Sequence, residues 1–180
     1  RVKRWRALLL SMLCMVSAQA APLTVTDDRG RRVELPAPPQ RVITLMPSLT
    51  ETLCALQACG RLVGTDRYSD WPDLVRTLPK LGGLEDTPIE RVVTLRPDLV
   101  LAPVSSRAVD RLEALGLRVL ALEPKSLADT QRVMSLLAGV LGQPAAGPAL
   151  WQQIGQRIDA AAARVPAGLR GQRVYFEVSD

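Results

Sequence analysis

Three short apolar runs, each ending beside a proline and each followed by a helix-start signal, predict an α/β domain on a parallel sheet. The runs are residues 42–46, 99–102 and 119–122, and the prolines are Pro47, Pro103 and Pro124. Such near-continuous apolar strands suit a sheet covered on both faces. The composition agrees: of 180 residues, 47% are hydrophobic and 23% charged, enough apolar material for a packed core.

The elements follow in chain order. Arg1, Lys3, Arg4 and Arg6 precede an apolar stretch over 7–16, and Ser17-Ala18-Gln19-Ala20 follows. A basic start, a short apolar core and an Ala-x-Ala end read as a signal peptide over 1–20, cleaved after Ala20. The stretch is short of the roughly 20 apolar residues that a membrane span needs. Cys14 follows the bulky Leu13, where a lipidation site wants a small residue. The formal charge of +5 loses four basic residues with this segment, leaving 5 − 4 = +1. The basic balance therefore argues for export and not for a nucleic-acid partner.

Residues 21–40 read as a hairpin and linker. Leu23–Thr26 and Arg32–Leu35 flank the turn-rich Asp27-Asp28-Arg29-Gly30, and Pro36-Ala37-Pro38-Pro39 is a stiff connector. Residues 41–142 carry the α/β lobe. Ser48-Leu49-Thr50-Glu51 and Thr87-Pro88-Ile89-Glu90 fit capping boxes, and Ser126-Leu127-Ala128-Asp129 is a weaker third. Helices are expected over 48–58, 88–95, 106–115 and 126–141, with a further short strand at 62–64. Gly142-Gln143-Pro144 breaks the chain, and an Ala-rich helix follows within 144–166, ended by Pro166-Ala167-Gly168. A strand over 172–178, within 171–180, reads as the opening of a second lobe that the chain does not continue.

Cys54 and Cys59 are the cysteines beyond the signal segment. Five residues apart on one continuous helix, their Cα atoms would stand roughly 8 Å apart, beyond bridging range. Two small buried thiols are the favoured reading, with a bridge left open if the last turn before Gly60 deforms.

Chemistry on a parallel sheet belongs beyond the carboxyl ends of its strands. Those edges carry Ser48, Leu49 and Ser105; the serine hydroxyls and the neighbouring helix starts suit a polar group on a ligand. Gly64 to Pro72 is a polar loop with two aromatics, Tyr68 and Trp71, in a chain only 3% aromatic. Both are candidate stacking residues for a flat ligand. The chain has no histidine. Ser-His-Asp and Cys-His hydrolysis, His-ligated zinc and a His-ligated haem are thereby excluded. No phosphate-cradling glycine motif is present. A secreted hydrolase using Ser48 would need an activating base that the sequence does not supply, so no catalytic residue is assigned.

The stretch Arg41-Val42-Ile43-Thr44-Leu45-Met46-Pro47-Ser48-Leu49-Thr50-Glu51 resembles the opening strand and helix of receptors serving ABC importers of iron chelates, haem and cobalamin. Tyr68-Ser69-Asp70-Trp71-Pro72, Leu78-Pro79-Lys80-Leu81-Gly82-Gly83 and residues 89–101 follow in the family's order. The resemblance implies a periplasmic receptor of helical-backbone type: a Rossmann-like lobe, a long connecting helix and a second α/β lobe, here truncated. It implies a cobalamin-like corrinoid bound between lobes by Tyr68, Ser48, Leu49, Trp71 and Ser105. It also implies docking to an ABC permease through Glu90, with no cofactor, no metal site and no nucleic acid, in a monomer. The family's tyrosine that lies against the corrin matches Tyr68. Leu84 and Pro103 stand where cobalamin receptors tend to carry tryptophans. Trp71 stands where some haem receptors place a ligating tyrosine, and it cannot ligate iron. A ferric-siderophore or haem receptor on the same scaffold is the alternative.

Overall fold

The computed structural model describes residues 22–173 and Tyr175. The signal segment read over 1–20 lies outside the described residues, and so does most of the strand read over 172–178. Within them the order is β1 (Leu23–Thr26), β2 (Arg32–Leu35), β3 (Val42–Thr44), α1 (Pro47–Ala55), β4 (Leu62–Thr65) and α2 (Ile89–Thr94). Then come β5 (Leu99–Ala102), α3 (Ala108–Ala114), β6 (Val119–Ala121), α4 (Leu127–Val140) and α5 (Ala146–Ala163).

The apolar runs form a four-stranded parallel sheet in the order β4-β3-β5-β6. Alternate residues of each strand enter opposite cores. Val42, Leu99, Leu101 and Leu120 pack on the α1 and α4 side with Leu53 and Leu137. Ile43, Val100, Ala102 and Val119 pack on the α2 and α3 side with Val92 and Leu112. Burial on both faces is why these strands read as continuous apolar runs rather than as alternating ones.

The hairpin β1-β2 is antiparallel and pins the sheet's β6 edge through its turn. The Asp28 N–H donates to the Ala121 carbonyl at 3.0 Å. Asp27, 5% exposed, accepts from the N–H groups of Arg29 and Arg31 at 2.9 Å each. Its other oxygen accepts from Arg29 Nε at 2.8 Å and the Ala121 N–H at 3.4 Å. Arg29 in turn pairs with Glu113 of α3 at 2.6 Å. Edge strands need such cover, since their open N–H and C=O groups template unwanted pairing.

The helix starts correct the sequence reading. Pro47, with its fixed φ, occupies the first turn of α1 and puts the N-cap at Met46. Ser48 therefore lies inside the helix and caps nothing, so the expected Ser48–Glu51 box is not made. The second box also fails: Pro88 is the N-cap of α2, and the Thr87 hydroxyl donates instead to the Gly83 carbonyl at 2.7 Å. The weakest signal is the one that caps, as Ser126 Oγ accepts from the Asp129 N–H at 3.1 Å.

The cysteine expectation is corrected as well. α1 ends at Ala55, three residues early, because Gln57 adopts φ +61° and reverses the chain. The Ala58 N–H then reaches back to the Leu53 carbonyl at 2.9 Å. That reversal brings the Cα atoms of Cys54 and Cys59 to 4.2 Å, and the pair is bridged.

α5 crosses α4 with near backbone contact. A Cβ on Gly147 would meet Ser135 Cα at 2.7 Å and the Met134 carbonyl oxygen at 3.0 Å. The first half of α5 packs here, through Leu150 and Ile154, and residues 157–163 project exposed beyond the lobe. No helix among the described residues is long and apolar enough to cross a membrane.

Two outcomes follow from this packing. Gly147→Ala should lower stability by about 1–3 kcal/mol in urea denaturation, because the crossing has no room for a methyl group. The second concerns Asp27. Burial pushes its carboxyl up, but the Arg31 N–H, the Arg29 side chain and the Arg29 N–H together hold it below its ordinary 3.8. A carboxyl lowered by folding stabilises the fold above its unfolded value and ceases to do so as pH falls through its folded value. Denaturation midpoints should therefore drop below about pH 4, with Asp27→Asn less stable at neutral pH and flatter across that acid range.

Candidate functional site

The order β4-β3-β5-β6 places a topological switch between β3 and β5, and their carboxyl ends diverge there. A cavity of about 210 Å³ opens at this edge. Every strand of the sheet contributes to it: Leu45, Met46 and Pro47 after β3, Asp66 and Tyr68 after β4, Pro103 and Ser105 after β5, and Glu123 after β6. Gly83 and Leu84 complete the wall. The lining is largely aliphatic, with a phenol, a hydroxyl and carboxylates as polar groups. No lysine or arginine lines it among the described residues.

Tyr68 stands 67% exposed at the mouth. Its position is set from beneath by Asp66, which is 1% exposed. Asp66 Oδ1 accepts from the N–H groups of Tyr68 at 2.8 Å and Ser69 at 3.1 Å, the local turn that Asp favours. Its other oxygen accepts from the Ser69 hydroxyl. The chain of hydroxyls continues from Ser69 to Thr50 of α1 at 2.7 Å and from Thr50 to Thr44 of β3 at 2.6 Å. Thr44, Thr50 and Ser69 are all buried. Lys80 Nζ closes the far side, donating to Thr65 Oγ1 at 3.0 Å and the Val75 carbonyl at 3.1 Å. No buried side-chain polar atom among the described residues lacks a partner. A fully satisfied buried network of this kind holds its loop in one conformation.

A second, larger hollow of about 480 Å³ lies on the α1 and α5 side, lined by Ser48, Glu51, Cys54, Trp71, Met134 and Ile154 among others. Its size does not make it the site. It sits beside a helix pair, whereas the smaller cavity gathers all four strand ends.

The six residues singled out in the sequence therefore separate. Tyr68 and Ser105 meet in the strand-edge cavity. Ser48 and Trp71, the latter 61% exposed, meet in the α1–α5 hollow. The side chain of Leu49 is 1% exposed in the core and lines neither, because Pro47 starts the helix early and turns Leu49 inward. Glu90 is exposed on the first turn of α2, on the other face of the sheet, and is free of ion pairs and side-chain hydrogen bonds among the described residues. Ser48 Oγ contacts no base among them.

Sequence reasoning missed Asp66 and Ser69 as builders of the site. The Asp-x-x-Ser spacing in Asp66-Arg67-Tyr68-Ser69 was the available signal. It missed Met46 and Glu123 too, which only the sheet order brings together. Leu84 and Pro103, noted as departures from the cobalamin pattern, both line the same cavity as Tyr68. Among the described residues no three His, Cys, Asp or Glu side chains gather as a metal site.

The vitamin B12-binding protein of Vibrio vulnificus (strain YJ016) is 29% identical over 174 residues, covering 95% of this chain and 58% of its own length. A periplasmic haem-binding protein from Pseudomonas aeruginosa superposes with a TM-score of 0.66 at 29% identity, over 69% of this chain and 46% of that one. The periplasmic vitamin B12 binding protein BtuF of Vibrio cholerae gives 0.63 at 26% identity, over 71% and 51%. The chain spans about half the length of the proteins it matches. The periplasmic binding protein family matches residues 42–179, a span that starts at β3 and takes in every element of the parallel sheet, and the chain belongs to that family.

Proposed function

We propose that this chain forms the ligand-binding lobe of an extracytoplasmic receptor for an ABC importer, and that its ligand is a cobalamin-like corrinoid. The observation that carries this reading is the strand-edge cavity, with Tyr68 held at its mouth by the buried Asp66 network. The relatives known as vitamin B12-binding proteins support the ligand class. So does the lining: aliphatic walls, hydroxyls and no cation suit a ligand edged with neutral amides.

The mechanism is capture. A cavity of 210 Å³ encloses one edge of a corrinoid, not the whole. Large ligands normally have most of their surface enclosed, so a second lobe, linked by the projecting half of α5, would supply the opposite wall. Leu84 and Pro103 leave room where bulkier aromatic residues would fill the cavity, and Tyr68 supplies the stacking face. Glu90, on the opposite face of the sheet from the α1–α5 hollow, is the proposed contact to the permease. The leader read over 1–20 would deliver the receptor to the periplasm.

Titration of the full-length protein with cyanocobalamin, haemin and ferric siderophores tests the ligand. Cyanocobalamin should bind and the others should bind more weakly; haemin or a siderophore binding best would replace the ligand while leaving the receptor. Tyr68→Ala should weaken cyanocobalamin binding about threefold to tenfold, the worth of one aromatic stacking contact. Unchanged affinity would remove Tyr68 from the site. Glu90→Gln should leave that affinity untouched and lower uptake in transport assays with the reconstituted importer, whereas full uptake would end its docking role.

A further inference from the structure

Two arginines adjoin residues of the strand-edge cavity: Arg67 stands between Asp66 and Tyr68, and the Arg107 N–H donates to the Leu84 carbonyl at 3.3 Å; each is matched by an acid that follows Leu84. Arg67 pairs with Asp86, and Arg107 pairs with Glu85 at 3.2 Å. All four side chains are substantially exposed, between 45% and 74%. Exposed pairs of this kind add little to a fold. Their charge placement beside a ligand site therefore matters more than their contribution to stability.

Asp86 is tied more firmly than a surface partner. Its Oδ1 accepts from the Gly83 N–H at 2.7 Å while Oδ2 meets Arg67. Gly82, at φ +72°, makes the turn possible, since a Cβ there would meet the Asp86 carbonyl oxygen at 2.6 Å. Gly83 lies against the phenol, with its Cβ position 3.4 Å from Tyr68 Cε2. The Arg67 guanidinium sits 5.9 Å from the centroid of the Tyr68 ring. The Gly83 N–H, and next the Arg67 side chain, hold the Asp86 carboxyl below its ordinary range, so it stays ionised at neutral pH.

We infer that Asp86 is a specificity-determining residue: by occupying Arg67 beside Tyr68, it withholds the cation from the ligand and turns the cavity against carboxylate-bearing ligands. Glu85 does the same for Arg107 on the β5 side. With both arginines matched and Glu123 in the wall, neither Arg67 nor Arg107 is free to meet a propionate or other carboxylate. A ligand edged with amides meets no such obstacle, because it needs hydrogen bonds and not a counter-ion. This rests on the strand-edge cavity being the ligand site, and it adds the residue that selects between anionic and neutral members of the ligand class.

The test is Asp86→Asn in the full-length protein, titrated with haemin, which carries two propionates, and with cyanocobalamin. The amide oxygen of Asn still accepts from Gly83, so the loop is kept while Arg67 is released. Haemin affinity should rise about tenfold, the order of one charge-assisted hydrogen bond, and cyanocobalamin affinity should stay within about threefold. Adding Arg67→Gln should abolish the gain. No gain in Asp86→Asn, or a gain that survives Arg67→Gln, overturns the inference. Asp86→Ser, which keeps a smaller acceptor, carries the same test if the Asn variant fails to fold. The haemin gain is readable even if wild-type protein binds no cyanocobalamin, so loss of the ligand assignment and loss of this inference are distinguishable.

Discussion

The buried carboxylate of Asp66 is the constraint on which the site depends. A carboxylate that is 1% exposed is costly unless its oxygens are satisfied, and two backbone N–H groups and a hydroxyl satisfy them. The geometry that does so is a tight turn immediately after β4, and that turn leaves Tyr68 facing outward. Through Ser69, Thr50 and Thr44 the same network reaches α1 and β3. The loop, the first helix and the central strand are thereby registered to one another at the carboxyl edge. Replacing Asp66 would leave buried donors without an acceptor and release the residue that faces the ligand.

The rest of the lobe supports that edge. Two-sided burial makes the sheet a rigid platform, with α1 and α4 on one face and α2 and α3 on the other. The hairpin turn, through Asp27 and Asp28, braces β6, the strand whose end brings Glu123 into the cavity wall. Helix α5 packs on α4 at Gly147 and then leaves the lobe. Its second half carries Ile158, 46% exposed, beyond the core.

Most of the architecture was legible in the residues. Leu23–Thr26, Arg32–Leu35 and Leu99–Ala102 are strands with the expected ends, because alternation with turn chemistry in the hairpin and an unbroken apolar run in the sheet are local properties. Helix starts were less legible. Pro47 and Pro88 each competed with a neighbouring Ser or Thr for the start of a helix, and the proline's fixed backbone prevailed. The Cys54–Cys59 bridge was hidden by a single left-handed residue, Gln57, which carries no glycine-like signal. The site was half legible. Tyr68 and Ser105 stood out by type and by position after a strand. Ser48 and Trp71 did too, yet they fell into a different hollow, because strand order and helix packing, not sequence proximity, decide which loops meet.

The central claim is that ligand is received at the carboxyl edge of the sheet, against Tyr68, and not in the larger hollow beside α1 and α5. A crystal structure of the full-length protein with cyanocobalamin bound tests it most directly. The account predicts a corrin edge over Tyr68, with Leu84, Pro103 and Ser105 in contact and the Asp66 turn unchanged. Ligand seated between Trp71 and Ile154, with the strand-edge cavity vacant, would contradict it.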